Sequence, residues 1–192
     1  MIRKIAITGP ESTGKSQLAE QLARHYHTHW VAEFAREYLN LLERPYEEND
    51  ILVIAKGQMQ REAEAEAEVK RGAEATAGIR SGEIQATGQD QYLFCDTELL
   101  VTKIWSEVKY GRCHPWILQQ LDLHSYDLYL LCYIDTPWEA DPQREHPHMR
   151  EQLFNLYYDE MLERGWNFRV VTGLGEERLQ NAIKFIDTCF SG

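Results

Sequence analysis

The stretch GPESTGKS, residues 9–16, has the residue types and spacing of a phosphate-binding loop. Gly9, Gly14, Lys15 and Ser16 fill the pattern GxxxxGK(S/T), between an apolar run and apolar residues at helical spacing. In such a loop, backbone N–H groups point at phosphate oxygens, the lysine reaches the β and γ phosphates, and the hydroxyl ligates Mg²⁺. The alternative is a glycine-rich turn before an ordinary helix. We predict an ATP site formed by Gly9, Glu11, Ser12, Thr13, Gly14, Lys15, Ser16 and Gln17.

A carboxylate follows the apolar part of YLFCDTE, residues 92–98. At the end of a strand, Asp96 would hold Mg²⁺ together with Ser16, or act on an acceptor hydroxyl as a catalytic group. A helix N-cap is the alternative, because aspartate is favoured there. Asp135 also ends an apolar run, LLCYID, so the choice between the two aspartates stays open. The turn signal of Thr136-Pro137 favours Asp96.

The segment EFAREY, residues 33–38, is a candidate for substrate binding. Its i, i+3 spacing places Glu33 and Arg36 on one helix face. A carboxylate there would accept a hydroxyl proton or bind ribose hydroxyls. The alternative is an exposed ion pair on a helix surface.

The segment WEADPQREHPHMR, residues 138–150, is predicted to be a mobile lid. Its Arg144 and Arg150 would bring guanidinium groups onto the transferring phosphoryl group and exclude water. Solvated arginines at a helix start are the alternative. Histidines in HYHTH and HPH have metal-like spacing but no cysteine partners, so we interpret them as surface or lid residues.

These residues are placed by an alternation of short apolar runs and helical patterns. Strands are predicted at residues 2–8, 30–32, 92–95, 127–134 and 168–171. Helices are predicted after Lys15, over residues 34–42 and 47–70, and from Glu176 to Phe190. EAEAEAE alternates like a strand, but alanine and glutamate are strong helix formers. Glycine-rich residues 71–91 are predicted to form a polar, mobile loop.

This element order predicts one α/β domain over residues 1–192. Five strands with helical crossovers give a three-layer α/β/α sandwich around a parallel sheet, the fold of P-loop nucleoside and nucleotide kinases. Ligands in such folds bind at the carboxyl ends of the strands.

Composition favours a small-molecule substrate. The 31 acidic and 20 basic residues give a net charge of −11, which would repel nucleic acid and offers no patch for an anionic membrane. No apolar run is long enough to cross a bilayer. The four cysteines include no CxxC pair, which favours the cytoplasm. Oligomeric state is left open.

Several motifs together resemble one family. GPESTGKS, EFAREY, IAKGQMQ, FCDTE, YDLYLL, TPWEAD and the pattern of Gly173, Arg178 and Ala182 resemble the ribosylnicotinamide kinase domain of bacterial NAD-salvage proteins. The resemblance runs over nearly the whole chain except residues 71–91. It implies transfer of the ATP γ-phosphoryl group to the 5′-hydroxyl of nicotinamide riboside, with Mg²⁺ as the cofactor. There are two alternatives. The chain would be a kinase for another nucleoside or nucleotide, or an ATP-binding regulatory module without an acceptor.

The resemblance also implies roles for single residues. Lys15 and Ser16 would handle ATP and Mg²⁺, Asp96 would be the metal or base carboxylate, and Arg144 the lid cation. Whether Asp96 or Glu33 is the general base stays open. The residues expected in the nucleoside pocket are Glu33, Arg36, Tyr38, Gln58 and Trp138.

Overall fold

A single parallel sheet organises the chain, which the computed structural model describes at residues 1–79, 91–123 and 126–190. Its strands lie in the order β2-β3-β1-β4-β5, and every neighbouring pair is parallel. The predicted five-stranded parallel sheet is therefore confirmed. The strands are β1 (Ile2–Thr8), β2 (His29–Val31), β3 (Gln91–Asp96), β4 (Leu128–Cys132) and β5 (Phe168–Val171).

Helices cover both faces of this sheet. They are α1 (Lys15–His25), α2 (Phe34–Leu41), α3 (Glu48–Ile79), α4 (Leu99–Tyr110), α5 (Pro115–Leu123), α6 (Arg150–Glu163) and α7 (Glu176–Phe190). Successive strand side chains point to opposite faces, so Ile5 and Ile7 pack with α1 and α7, while Ala6 packs with the helices of the other face. These two apolar cores give the predicted three layers.

Helix α3 is longer than the sequence pattern predicts. The predicted loop at residues 71–91 is wrong at both ends, because the helix continues to Ile79 and β3 begins at Gln91. The stretch RGAEATAGI contains three alanines, and extending an existing helix costs far less than starting one. Residues 80–90 lie outside the described residues.

The register of the central strands brings the candidate residues to one edge. β1 lies between β3 and β4, and Ile7 pairs with Asp96 while Thr8 pairs with Leu131. The phosphate-binding loop and Asp96 therefore leave the sheet side by side at its carboxyl edge. Among the described helices, none combines the length and apolar character needed to span a membrane.

Candidate active site

The loop of residues 9–16 has the backbone geometry of a phosphate cradle between β1 and α1. Gly9 has φ 130°, and a Cβ there would meet the carbonyl oxygen of Cys132 at 2.9 Å, so only glycine fits this position. Gly14, with φ 74°, is the N-cap of α1. The N–H groups at the start of this helix have no intrahelical partners and carry the positive end of its dipole. The loop therefore offers donors for an anion at the predicted position.

Two side chains of the loop fold back onto its own backbone. The Lys15 ammonium donates to the carbonyl of Pro10 at 2.8 Å, and the Thr13 hydroxyl donates to the same oxygen at 2.8 Å. Lys15 is thereby held at the mouth of the loop. Phosphate oxygens offer the ammonium a stronger, charge-assisted partner than this neutral carbonyl.

Buried Arg178 on α7 binds both the phosphate-binding loop and Asp135. Its guanidinium donates to the carbonyl of Thr13 and pairs with the Asp135 carboxylate. The other oxygen of Asp135 accepts from the backbone N–H of Gly173 at 2.7 Å. Asp135 therefore supports the loop structurally, and of the two candidate aspartates Asp96 is the one with coordinating capacity left.

Asp96 is a buried carboxylate with one oxygen unpartnered. It is 1% exposed, and its Oδ1 has no hydrogen-bond partner. Burial raises the pKa of Asp96 to about 6, the charge of Glu33 adds to the rise, and Ser16, Lys15 and Arg36 act in the opposite direction. A buried acceptor without a donor is costly, and a cation beside Ser16 would satisfy it. The Ser16 hydroxyl and the Asp96 carboxylate thus fit a Mg²⁺ ion.

This pair would supply only part of the coordination shell. Among the described residues, no group of three or more His, Cys, Asp or Glu side chains is placed to hold a metal ion. The histidines of HYHTH and HPH therefore form no such group either. Mg²⁺ usually keeps several waters and takes substrate phosphates as further ligands. Two protein ligands are therefore compatible with an ion that arrives with a nucleotide.

The N-cap alternative for Asp96 is taken by another carboxylate. Glu98 is the N-cap of α4, and it accepts from the backbone N–H of Leu100 at 2.6 Å and from the hydroxyl of Thr8 at 2.9 Å. Glu98 is 1% exposed and thereby links the end of β1 to the start of α4. Sequence reasoning missed this role, although Glu98 stands in the motif CDTE.

A cavity of about 640 Å³ opens from the phosphate-binding loop. All eight predicted ATP-binding residues line it, as do Glu33, Arg36 and the lid residue Arg144. The cavity then continues into a second recess between α2, α4 and α6. Apolar and aromatic side chains form the wall of that recess: Leu39, Tyr46, Val101, Ile104, Trp105, Val108, Leu153 and Tyr157.

Hydrogen bonds position the aromatic wall. Trp105 Nε1 donates to the hydroxyl of Tyr46 at 2.8 Å, and that hydroxyl donates to Glu145 at 2.8 Å. Lys109 also binds Glu145, at 3.0 Å. Residues 101, 104, 105 and 108 have the spacing of one helix face. This pattern is the feature of the sequence from which the position of Trp105 could have been predicted. Tyr46 lies in a connection and has no such signal.

The segment predicted as a lid, residues 138–150, lies across the loop, with α6 starting at its last residue. The carboxylate of Glu11 accepts from the backbone N–H groups of residues 145 and 146, at 3.2 and 3.1 Å. The Ser12 hydroxyl accepts from the backbone N–H of Glu139 at 2.9 Å and from Arg144 at 3.2 Å. Asp141 pairs with Arg36 at 2.9 Å, which fastens the segment to α2.

Three predicted substrate residues do not line the cavity. The Tyr38 hydroxyl donates to buried Asp50 at 2.7 Å, and the amide of Gln58 binds backbone groups. Trp138 lies at the base of the lid outside the lining. Asp96 is also absent from the lining because it is buried beneath the start of α1. Neither Tyr38 nor Gln58 lines the cavity, and their polar atoms bind Asp50 and backbone groups, so their contact with a substrate stays a prediction.

Known proteins share this architecture. A family model described as an AAA domain matches residues 4–178. The trifunctional NAD biosynthesis/regulator protein NadR of Salmonella typhimurium is 29% identical over 147 residues, covering 74% of this chain and 31% of that protein. The chain thus spans about a third of the length of this curated relative.

Two solved structures superpose on nearly the whole chain. A NadR protein in complex with NR has 18% identity and a TM-score of 0.69, covering 99% of this chain and 52% of that one. Thymidylate kinase from Ehrlichia chaffeensis has 13% identity and a TM-score of 0.63, covering 97% and 98%. At these identities the likeness shows a shared fold, that of P-loop nucleoside and nucleotide kinases.

Proposed function

We propose that this chain, which belongs to the AAA domain family whose model matches residues 4–178, is an ATP-dependent nucleoside kinase. The acceptor that we propose is nicotinamide riboside, with nicotinamide mononucleotide as the product. The observation that carries the kinase proposal is the cavity, which joins the phosphate-binding loop to a recess lined by aromatic side chains. A nucleotide-dependent switch has no need of a recess for a second small molecule.

Support for this acceptor comes from the relatives and from the recess. The NadR relative is a NAD biosynthesis protein, and a NadR structure of the same fold holds NR. Tyr46 and Trp105 line the recess, where the Lys109 ammonium already lies 3.6 Å from the centre of the Tyr46 ring, so a planar, cationic pyridinium would stack on Trp105. Glu33 adds negative charge to the same cavity, whereas the Glu145 carboxylate is paired with Lys109.

We assign the two carboxylates different tasks. Glu33 lines the cavity, so we place it on the acceptor hydroxyl, where it orients the attacking oxygen and accepts its proton. Asp96 is buried beside Ser16, and these two residues would hold Mg²⁺. The bound ion would neutralise charge on the β and γ phosphates.

The cations of the site act on the phosphates. Lys15 would leave the Pro10 carbonyl for the γ phosphate, while the N–H groups of residues 11–16 would bind the remaining oxygens. Arg144 reaches the loop at Ser12, and we propose that it stabilises charge on the phosphoryl group during transfer. Catalysis would then come from positioning and charge stabilisation.

The test is ADP release by the purified chain with Mg-ATP, with and without an acceptor. Nicotinamide riboside is compared with uridine, cytidine, adenosine, thymidine and thymidine monophosphate, and the product is identified by mass. Lys15→Ala is the inactive control. We expect stimulation by nicotinamide riboside and formation of its mononucleotide. Stimulation by another acceptor would reassign the substrate, and ATP turnover that ignores every acceptor would contradict the kinase proposal.

A further inference from the structure

Gln58 is a buried amide in the middle of α3 whose two ends bind different segments of the site. Its side chain is 2% exposed. Its Oε1 accepts from the backbone N–H of Phe34 at 2.9 Å. Its Nε2 donates to the carbonyls of Asp96 at 3.4 Å and Thr97 at 3.3 Å. Since an N–H group needs an acceptor and a carbonyl needs a donor, the orientation of this amide is fixed by its partners.

Both partners of Gln58 adjoin a candidate site carboxylate. Phe34 is the first residue of α2 and follows Glu33, the N-cap residue, whose side chain makes no capping hydrogen bond. The first N–H groups of a helix have no partner within the helix, so Gln58 supplies one that Glu33 does not. On its other side, Gln58 binds the carbonyl of Asp96 itself. One side chain therefore spans the gap between the two acidic residues.

The turn after Asp96 is strained and needs such support. Thr97 has φ 72°, a left-handed conformation that is an outlier for a β-branched residue. Strain of this kind persists only where the surrounding structure holds it. The Thr97 N–H donates to the carbonyl of Ile7 at 3.0 Å, and its carbonyl accepts from Gln58. The turn is thus held from β1 on one side and from α3 on the other.

The preceding residue, Gly57, sets the distance that Gln58 must span. A Cβ at Gly57 would lie 2.4 Å from the ring of Phe34, so glycine lets α2 approach α3 closely. This approach brings the Phe34 N–H within reach of the Gln58 side chain. The sequence pair Gly57-Gln58 therefore provides both the close contact and the bridge.

We propose that Gln58 is a positioning residue for phosphoryl transfer: its amide holds the Glu33 and Asp96 segments in register and touches no substrate. The inference rests on the proposed kinase function. A displacement of about 1 Å in a reacting group lowers rates by roughly a hundredfold, so loss of the bridge should reduce kcat. ATP binding at the loop of residues 9–16 does not depend on this amide.

The test replaces the amide while keeping the length of the side chain. In Gln58→Met we expect kcat to fall at least tenfold, the Kd for ATP without Mg²⁺ to stay within twofold, and the Phe34 amide to exchange faster by NMR. Gln58→Asn is the second variant in case Gln58→Met does not fold. It keeps a buried amide but is too short to reach both segments, so the same kinetic loss is expected.

Ile51→Val is the matched control for stability. Ile51 lies two turns earlier on α3 and packs in the apolar core, so this change destabilises the helix without touching the bridge. We expect its kcat to stay within twofold of the wild type.

The outcomes separate the two proposals. If the wild type is active and the Gln58 variants are fully active, only the positioning role is overturned. The same holds if the variants leave the exchange of the Phe34 amide unchanged. A wild type that phosphorylates no acceptor would overturn the kinase proposal and the positioning role with it.

Discussion

Glu33 and Asp96 are both acidic, and their different surroundings give them different chemistry. Glu33 stands at the N-terminus of α2 with its side chain in the cavity, whereas Asp96 is 1% exposed beneath the phosphate-binding loop. In the proposed reaction, a proton from the acceptor hydroxyl would pass to Glu33. We therefore expect the two carboxylates to fail differently when each is replaced by its amide.

Glu33→Gln should lower kcat with the acceptor by roughly 10²- to 10⁴-fold, the usual contribution of a general base. The KM for Mg-ATP should not change, because Glu33 contacts none of the loop. Steady-state kinetics against each substrate measure both quantities. Glu37→Gln is the matched control, since Glu37 lies one turn later on the exposed side of α2, paired with Arg61. Wild-type kinetics in Glu33→Gln would remove Glu33 from the site.

Glu98 makes folding stability depend on pH. Burial raises its pKa to about 7, while the hydrogen bonds from Leu100 and Thr8 act in the opposite direction. In an unfolded chain the pKa of glutamate is about 4.3. Between this pH and about 7, the folded state therefore holds a proton that the unfolded state releases. The stabilising contribution of the protonated form is present below about pH 4 and is lost as the pH rises through about 7.

Glu98→Gln should remove this dependence. Glutamine can still accept from the Leu100 N–H, and its amide can donate to the Thr8 hydroxyl. We expect little change in stability at pH 5 and a more stable variant at pH 8, with the difference growing by at most about 1.4 kcal/mol per pH unit. Denaturant unfolding at the two pH values measures it. A constant difference, as expected for the exposed control Glu163→Gln, would contradict the raised pKa.

Single residues were harder to place from sequence than the motifs that contain them. Lys15 and Glu33 could be assigned because a phosphate-binding loop and a strand end fix where they lie. Tyr38 and Gln58 could not, since their roles depend on partners such as Asp50 and Phe34 that tertiary packing supplies. A polar residue near a predicted site is equally compatible with binding substrate and with binding backbone.

At the scale of elements, the approach of α2 to α3 depends on one glycine. Alanine in place of a mid-helix glycine ordinarily stabilises a helix by about 1 kcal/mol. At Gly57 the added methyl group would lie 2.4 Å from the Phe34 ring, which also packs under the Arg61 guanidinium at 4.6 Å. We therefore expect Gly57→Ala to lower stability by roughly 1–3 kcal/mol, the cost of overpacking.

A double variant separates the clash from helix propensity. Gly57→Ala combined with Phe34→Leu frees space at the contact, so it should be more stable than Phe34→Leu alone. Thermal unfolding of the four proteins gives the coupling between the two sites. Additive effects would show that the ring does not limit the approach of the helices.

The elements themselves follow well from the sequence pattern. Short apolar runs predicted the strands to within two residues at each end, because buried parallel strands are apolar throughout. The far end of α3 was missed, since glycine and small polar residues there suggested a loop while the helix continued. Local composition is a weak guide where a helix is already nucleated.

At the scale of the whole molecule, the segment of residues 138–150 joins parts that the sequence separates widely. It binds the phosphate-binding loop through Glu11 and Ser12, α2 through Arg36, and α4 through Lys109. These contacts roof the cavity, so both substrates would enter and leave past this lid. We predicted the lid from its arginines, and that role stays a prediction. Its partners were not predictable, because three of these four contacts join residues more than a hundred positions apart along the chain.

The Asp141–Arg36 ion pair should control how well the closed lid excludes water. The Gln143 backbone N–H and the Arg36 guanidinium hold the pKa of Asp141 below its usual range, so the pair is charged at neutral pH. An exposed pair of this kind is worth up to about 1 kcal/mol, or roughly fivefold in the closed population. Asp141→Asn should therefore release more ADP per phosphorylated acceptor, because an opened lid admits water as a competing nucleophile.

Parallel assays of ADP and of the phosphorylated product measure this ratio of ADP to product. Glu151→Gln, which changes an exposed carboxylate in the first turn of α6, should leave the ratio unchanged. An equal ratio in all three proteins would mean that the contacts of Glu11 and Ser12 close the lid without help from α2.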